Sequence, residues 1–325
     1  MALQAELRSP FASWRGLSEN TGLLAALGIA VLAVAPFVLY PVFMMKVLCF
    51  GLFAAAFNLL IGYVGLLSFG HACFFGGAAY ITAYTVKYWG LEPLTGILLG
   101  VAYAAALGAV VGYLAIRRSG IYFSMITLAL AQMFFFFCLQ APFTGGEDGI
   151  QAVPRGRLLG LIDLSHPLAM YYTVLAIFLF GMFAIWRIVH SPFGNILKAI
   201  RENENRAISL GYRVERYKLG AFVISAALAG LAGGTKSLVF QLATLTDVDW
   251  RMSGEVILMT LLGGIGTMVG PLVGAAFVST LEHYLATSNF PVTVLIGAIF
   301  VVCVLLFRRG IVGEILHATR RRSGA

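Results

Sequence analysis

Charge is what this sequence has least of. Asp, Glu, Lys and Arg make up 11 % of 325 residues, where a soluble globular chain carries about a quarter. Also missing are the motifs that bring chemistry. No G-x-x-x-x-G-K-[ST] is present, so no P-loop binds ATP in this chain. There is no H-E-x-x-H, and His71, His166, His190, His283 and His317 are too scattered to suggest a metal cluster. No G-x-S-x-G nucleophile elbow occurs. Cys49, Cys73, Cys138 and Cys303 stand in apolar runs with no C-x-x-C pair, which reads as buried free thiols. Acidic residues are almost absent from the centres of the apolar runs, which argues against an ion-coupled secondary transporter.

What fills the chain is hydrocarbon. Hydrophobic residues reach 60 % and the mean hydropathy is +0.91. Apolar runs of about 20 residues cross a bilayer as helices, and several occur, so the expectation is an all-α polytopic transmembrane bundle. Thirty-seven glycines, many inside those runs, suit helices that pack closely through small residues. The spans are expected at about Thr21–Tyr40, Phe43–Tyr63, Leu66–Val86, Thr95–Ile116, Ile121–Ala141, Leu168–Val189 and Leu219–Phe240. Residues 142–167 form a long polar loop. The first run is of full span length and Pro36 follows its only cleavage-like triplet, so it reads as a retained helix.

The net charge of +8 reflects topology rather than nucleic-acid binding. With the N-terminus inside, the inner side collects Arg8, Arg15, Arg117, Arg118, Arg187, six basic residues between 190 and 218, and the arginines of the C-terminal tail. The outer side collects only Lys87, Arg155, Arg157, Lys236 and Arg251. Trp89 and Trp250 fall where an outer aromatic belt belongs. This divides the chain into a cytoplasmic segment 1–20, a transmembrane domain 21–307 with a cytoplasmic loop at 190–218, and a basic cytoplasmic tail 308–325.

A cytoplasmic tail requires an odd number of crossings after residue 240. Pro291–Phe307 supplies one. Gly254–Glu282 must then enter and leave, and it is short for two ideal spans. Two short or broken helices meeting at LLGGIGTMVGP (261–271) resolve this and give about 8–10 spans in all. Irregular backbone at membrane depth is tolerated against protein or a water-filled path, so this is a candidate pathway element. An echo accompanies it: Gly62-Tyr-Val-Gly65, Gly70 and GGAAY against Gly263-Gly-Ile-Gly266, Gly270 and VGAAF. Paired glycine-interrupted segments point to a transport site. The path-lining candidates are Gly65, Ser68, Gly70 and His71 with Gly263, Gly264, Gly266 and Gly270. For Ser68 a bond within its own helix, and for His71 interhelical packing, are the competing readings. Lys46 and Glu255 read as snorkelling residues near the outer interface.

One dense polar island, AIRENENRAISLGYRVERYKLG (199–220), holds eight charged residues. It cannot lie in hydrocarbon. Ser191 suits an N-cap, Pro192 a helix start and Gly211 a helix end. Ile196, Leu197, Ile200, Ala207, Ile208 and Leu210 fall within an arc of about 160° on one helical wheel, with Asn203 and Glu204 intruding. Such a mixed surface suits docking to a protein more than burial in lipid; a solvated linker helix is the alternative.

Three stretches together, NLLIGYVGLLSFGHACFFGGAAY (58–80), RENENRAISLGYRVERYKLGAFVISAALAGLAG (201–233) and ILMTLLGGIGTMVGPLVGAAF (257–277), closely resemble the LivM-type permease subunit of branched-chain amino acid ABC importers. The resemblance covers roughly residues 43–307. It implies a non-enzymatic transport subunit of the bacterial inner membrane that binds no cofactor. ATP would be used by two separate ATP-binding subunits. A second homologous permease, a periplasmic solute-binding protein and membrane lipid complete the implied partners. It also implies that the island is the ATPase-coupling loop, with Arg201, Glu202, Glu204, Arg206, Ala207, Leu210 and Gly211 as its candidate residues. The family pattern there is Glu-Ala-Ala followed by Gly; here Ala207 and Gly211 match, and the acidic residue is displaced to Glu204 or Glu202. Relatives that handle urea, short amides or other small solutes leave the cargo open.

Overall fold

The computed structural model describes residues 28–37, 39–158, 160 and 162–285, together with 297–298, 301 and 310–314. The expected N-terminal segment, the start of the first span, most of the span at 291–307 with Cys303, and most of the basic tail lie outside the described residues. The helices in chain order are α1 (Gly28–Phe37), α2 (Pro41–Tyr63), α3 (His71–Tyr88), α4 (Pro93–Ala115), α5 (Ile121–Gln140), α6 (Pro167–Val189), α7 (Pro192–Glu202), α8 (Glu204–Ser209), α9 (Val214–Phe240), α10 (Trp250–Gly263) and α11 (Gly270–Leu285). Four of them, α2, α4, α6 and α7, open on proline, which presets the first turn where a missing N–H costs nothing.

Burial separates the helices into two classes. The apolar windows of α2 and α9 are 83 % and 78 % buried, against 28–39 % for α4, α5 and α6. The first pair is the core of the bundle. The other three leave large apolar side chains such as Leu98, Val110, Met125, Phe136 and Phe180 uncovered, as helices facing hydrocarbon do. Small residues bring the inner helices together: Gly230 of α9 lies against Ala104 of α4, and Gly233 against the Phe75 carbonyl of α3. Cys49, Cys73 and Cys138 are buried and free, as expected.

The bundle has two distinct ends. At one, the described residues between 141 and 166 fold over the tip of α9. Ile150 pairs with Ala243, Val153 N–H donates to the Gln241 carbonyl, and Arg155 donates to the Val239 carbonyl at 2.9 Å. A two-residue ribbon, β1 (Arg157–Leu158) and β2 (Ile162–Asp163), runs antiparallel there. Below it Lys236 donates to both carboxylate oxygens of Asp247, at 2.7 and 2.6 Å, with both side chains buried. The other end holds α7, α8, the α2–α3 turn and the α10–α11 turn.

Three expectations need correction. The span expected at Leu66–Val86 is helical only from His71; residues 65–70 are non-helical because Gly65 takes a left-handed φ of +82°. The island is two helices, not one. Asn203 adopts an extended conformation, and its side chain accepts from Arg206 N–H at 3.0 Å, ending α7 and starting α8. The single 160° wheel therefore does not apply: Leu197, Ile200 and Ala207 are buried, while Ile208 and Leu210 face outward. Finally, α9 starts at Val214, so the end of the polar island is a rigid extension of a core helix.

Candidate functional site: the junction of the polar loop and the glycine turns

Local chemistry shapes the loop first. Ser191 accepts from Gly194 N–H, capping α7 as its sequence position suggests. Gly211 closes α8 at φ +87°, a left-handed geometry that side chains other than glycine resist. Ile200, Ala207 and Val214 form a small cluster that folds α7, α8 and the start of α9 together. Lys218 of α9, nearly buried, donates to Glu204 at 2.6 Å and ties α8 to the core helix. Exposed on the outer side of this unit are Ile208, Leu210 and Tyr212. Beside them is a groove of about 470 Å³ lined by Phe193, Gly211, Tyr212, Arg213, Arg216 and Tyr217. Arg201, Glu202 and Arg206 are also exposed.

Two glycine-rich turns sit beneath the loop. In the first, between α2 and α3, the irregular backbone finds partners on other helices. Ser124 of α5 donates to the Leu67 carbonyl at 2.6 Å, and Phe69 N–H donates to Thr127 at 3.2 Å. At the start of α3, Ala72 N–H donates to Ser253 of α10 at 2.9 Å. Each bond answers a buried backbone group that the helices leave open. Ser68 is buried and accepts from Gly70 N–H. His71 is packed among Phe57, Phe74 and Phe222. Ser225 donates its hydroxyl to the Ala56 carbonyl at 2.6 Å, so its oxygen is left to accept from His71 Nε2–H at 2.9 Å.

The second turn, 264–269, joins α10 and α11 as two short helices, in agreement with the broken hairpin read from the sequence. Gly263 lies against the Gly270 carbonyl and Gly274 against the Met259 carbonyl, so the hairpin is tight. Gly310 lies against the backbone of Gly264, placing the first residues of the tail at this same end.

The two turns meet. Asn58 of α2 donates to the Thr267 carbonyl at 2.8 Å and accepts from Gly266 N–H at 2.8 Å. Tyr63 donates to the Gly266 carbonyl at 3.2 Å. Arg201 of α7 then donates to the Gly62 carbonyl and lies beside Gly65 and Gly266. One turn of α7 away, Lys198 lies over the Tyr63 ring at 5.8 Å. Burial, which penalises the charged form, holds Lys198 below the ordinary lysine pKa. The structure thus brings Arg201 of one candidate group to Gly65 and Gly266 of the other. His71, Ser68, Glu202 and Arg206 are not part of this contact. Asn58, Tyr63, Lys198, Ser124, Thr127 and Ser253 were missed in the sequence. Except for Lys198, which stands in the polar loop, the available signal was a polar side chain in or beside an apolar run, which must pair with something.

Lys46 does more than snorkel: it pairs with Glu282 at 3.0 Å, joining α2 to α11 near their other ends.

The bundle of long apolar helices and its discontinuous hairpins define a polytopic all-α membrane protein of the ABC importer permease type. The chain belongs to the family described as branched-chain amino acid transport system / permease component, which matches residues 41–307. It is similar to the high-affinity branched-chain amino acid transport system permease protein LivM of Escherichia coli K12, with 26 % identity over 82 % of this chain and 68 % of that protein. A probable LivM of Methanocaldococcus jannaschii is 27 % identical over 71 % of this chain and 77 % of that one. The ribose import permease protein RbsC of Bacillus subtilis is 28 % identical over 68 % and 70 %.

Proposed function

We propose that this chain is the membrane-spanning subunit through which an ATP-driven importer carries branched-chain or related amino acids across the bacterial inner membrane. The observation that carries the reading is the α7–α8 unit. It is anchored to the bundle through Leu197, Ile200 and Ala207 yet presents Ile208, Leu210 and Tyr212 to the outside beside two arginines. Exposed apolar residues next to a cationic groove suit a protein partner with an acidic rim. That partner is an ATP-binding subunit, one on each of two permeases. The chain itself binds no cofactor and hydrolyses nothing. Its termini and residues 190–218 are cytoplasmic, residues 21–307 form the transmembrane domain, and 308–325 form a basic tail. Residues 142–167 face the periplasm and receive the solute-binding protein. Alternating access exposes a central route first to one side and then to the other, with the two glycine turns beside it.

The similarity to a ribose permease favours a second reading, in which the cargo is another small solute. Purification of the tagged chain from its native membrane tests both. An ATP-binding subunit is expected to come with it, and uptake of leucine into vesicles is expected to stop when ATP is withdrawn from the loop side. Absence of the ATP-binding subunit would refute the importer reading. A partner solute-binding protein that binds ribose and not leucine would decide for the second.

A further inference from the structure

The α2 helix ends in an unusual way. The N–H groups of Val64, Gly65 and Leu66 all turn back to the Leu60 carbonyl. None of them reaches the Gly62 carbonyl. That carbonyl, at the negative end of a core helix, is answered by the guanidinium of Arg201 instead. A helix C-terminus favours a cation at this position, and a guanidinium has donors to spare.

Gly62 is also where the two glycine turns touch: a Cβ there would lie 2.8 Å from Gly266 N and 3.0 Å from Gly266 Cα. Gly266 is bonded in turn to Asn58 and Tyr63 of α2. The Arg201 stem packs on Gly65, whose added Cβ would stand 3.3 Å from Arg201 Cγ. One side chain from the loop therefore reaches both turns through a single contact point. Arg201 keeps an exposed edge while its guanidinium points to Gly62, and the exposed apolar residues Ile208 of α8 and its C-cap Leu210 lie elsewhere on the loop.

We propose that Arg201 is a positioning residue for transport: it carries the motion of the docked loop to the α2–α3 and α10–α11 turns and does not itself contact the ATP-binding subunit. This rests on the importer reading above, and it divides the loop into an outward docking side and an inward transmitting side. Exposed apolar residues hold the motor; Arg201 holds the gate.

The test uses the complete complex reconstituted in liposomes, with ATP hydrolysis and uptake of labelled leucine measured on the same preparation. Arg201→Met keeps the aliphatic stem against Gly65 and removes every donor. It is expected to retain the ATP-binding subunits at the native ratio and to lower leucine carried per ATP at least tenfold. Arg201→Lys, which can still donate to one carbonyl, is expected to recover part of that ratio. Leu210→Glu is expected to do the opposite, losing the ATP-binding subunits. A ratio within twofold of native in Arg201→Met overturns the inference while leaving the importer reading intact. Loss of the ATP-binding subunits, or failure to assemble, in Arg201→Met also overturns it, because Arg201 would then be a docking or folding residue. A native complex that retains no ATP-binding subunit refutes the importer reading itself.

Discussion

Replacing Asn58 with leucine tests the contact between the turns most directly. Asn58 is 3 % exposed, and its amide serves both a donor and an acceptor of the 264–269 turn at 2.8 Å. Leucine keeps the branched outline with the same number of heavy atoms but is larger, so no cavity is left and some overpacking adds to the loss. The main loss is that of two unmet backbone groups, Gly266 N–H and Thr267 C=O. Each costs about 1–3 kcal/mol when buried and left unpaired, or about 2–6 kcal/mol together. Interhelical hydrogen bonds in membrane proteins average nearer 0.6 kcal/mol, which would give about 1.2 kcal/mol if the turn found new partners. Local partners are already committed: Tyr63 is on the Gly266 carbonyl and the Thr267 hydroxyl on the Gly264 carbonyl. The expected loss is therefore about 2–4 kcal/mol, read from unfolding by denaturing detergent in mixed micelles and followed by circular dichroism. Asn58→Asp should lose at least as much, since it sets a carboxylate against the Thr267 carbonyl. A change below about 0.5 kcal/mol for Asn58→Leu, the range of an inert surface substitution, would refute the view that this side chain joins the turns.

Three further perturbations follow from other parts of the bundle. Lys236→Met and Asp247→Leu should each cost about 3–5 kcal/mol, because each strands a buried charge, whereas the double variant should regain most of the loss; a double-mutant cycle in the same unfolding assay checks this. Gly274→Leu should push α11 off the Met259 carbonyl, cost about 1–3 kcal/mol through overpacking, and slow leucine uptake more than it slows ATP hydrolysis. Leu210→Ala should leave stability within about 0.5 kcal/mol, while Ala207→Glu, aimed into the cluster of Ile200 and Val214, should melt the loop, as limited proteolysis would show.

The fold was legible in the sequence wherever one physical term dominated. Long apolar runs bounded by Pro93, Pro167 and Gly120 gave helix ends within two residues, because hydrocarbon permits few other structures and proline sets the start. The short α10–α11 hairpin was legible from its length, the count of crossings and the glycine-rich stretch 261–271 together. Side-chain pairing across the bundle was not. Asn58 and Thr267 are 209 positions apart, and nothing local marks them as partners. Asn203 shows the converse difficulty. On a helical wheel it spoiled an amphipathic face, when its actual role was to end one helix and cap the next. A single-period reading averages over that break and so placed Ile208 and Leu210 on one face with Leu197, Ile200 and Ala207, which are buried. Within the candidate site, the residue types of the loop and both glycine turns were visible, but their contact through Arg201 belongs to tertiary packing.

The internal echo takes on a different meaning once the turns are seen together. In inverted repeats, corresponding segments enter from opposite sides of the membrane, and their turns lie apart about a central plane. Here Gly62–Gly65 ends α2 and Gly263–Gly266 spans the end of α10 and its turn, while Gly70 and Gly270 stand at the starts of α3 and α11. Both hairpins turn at the end that carries α7, and the 264–269 turn bonds directly to the end of α2 through Asn58 and Tyr63. The echo is therefore one of like orientation. This matters mechanically. Two turns at opposite faces would need the motion of a loop to cross the whole bundle, through packed helices that do not deform continuously. Two turns in contact at one face can be displaced together by one short lever. If Arg201 supplies that lever, a disulfide joining the two turns should block transport as completely as loss of the arginine, while leaving the outward surface of the loop free to hold its partner. A crosslinked complex that still carried leucine at the native rate would show that the turns need not move.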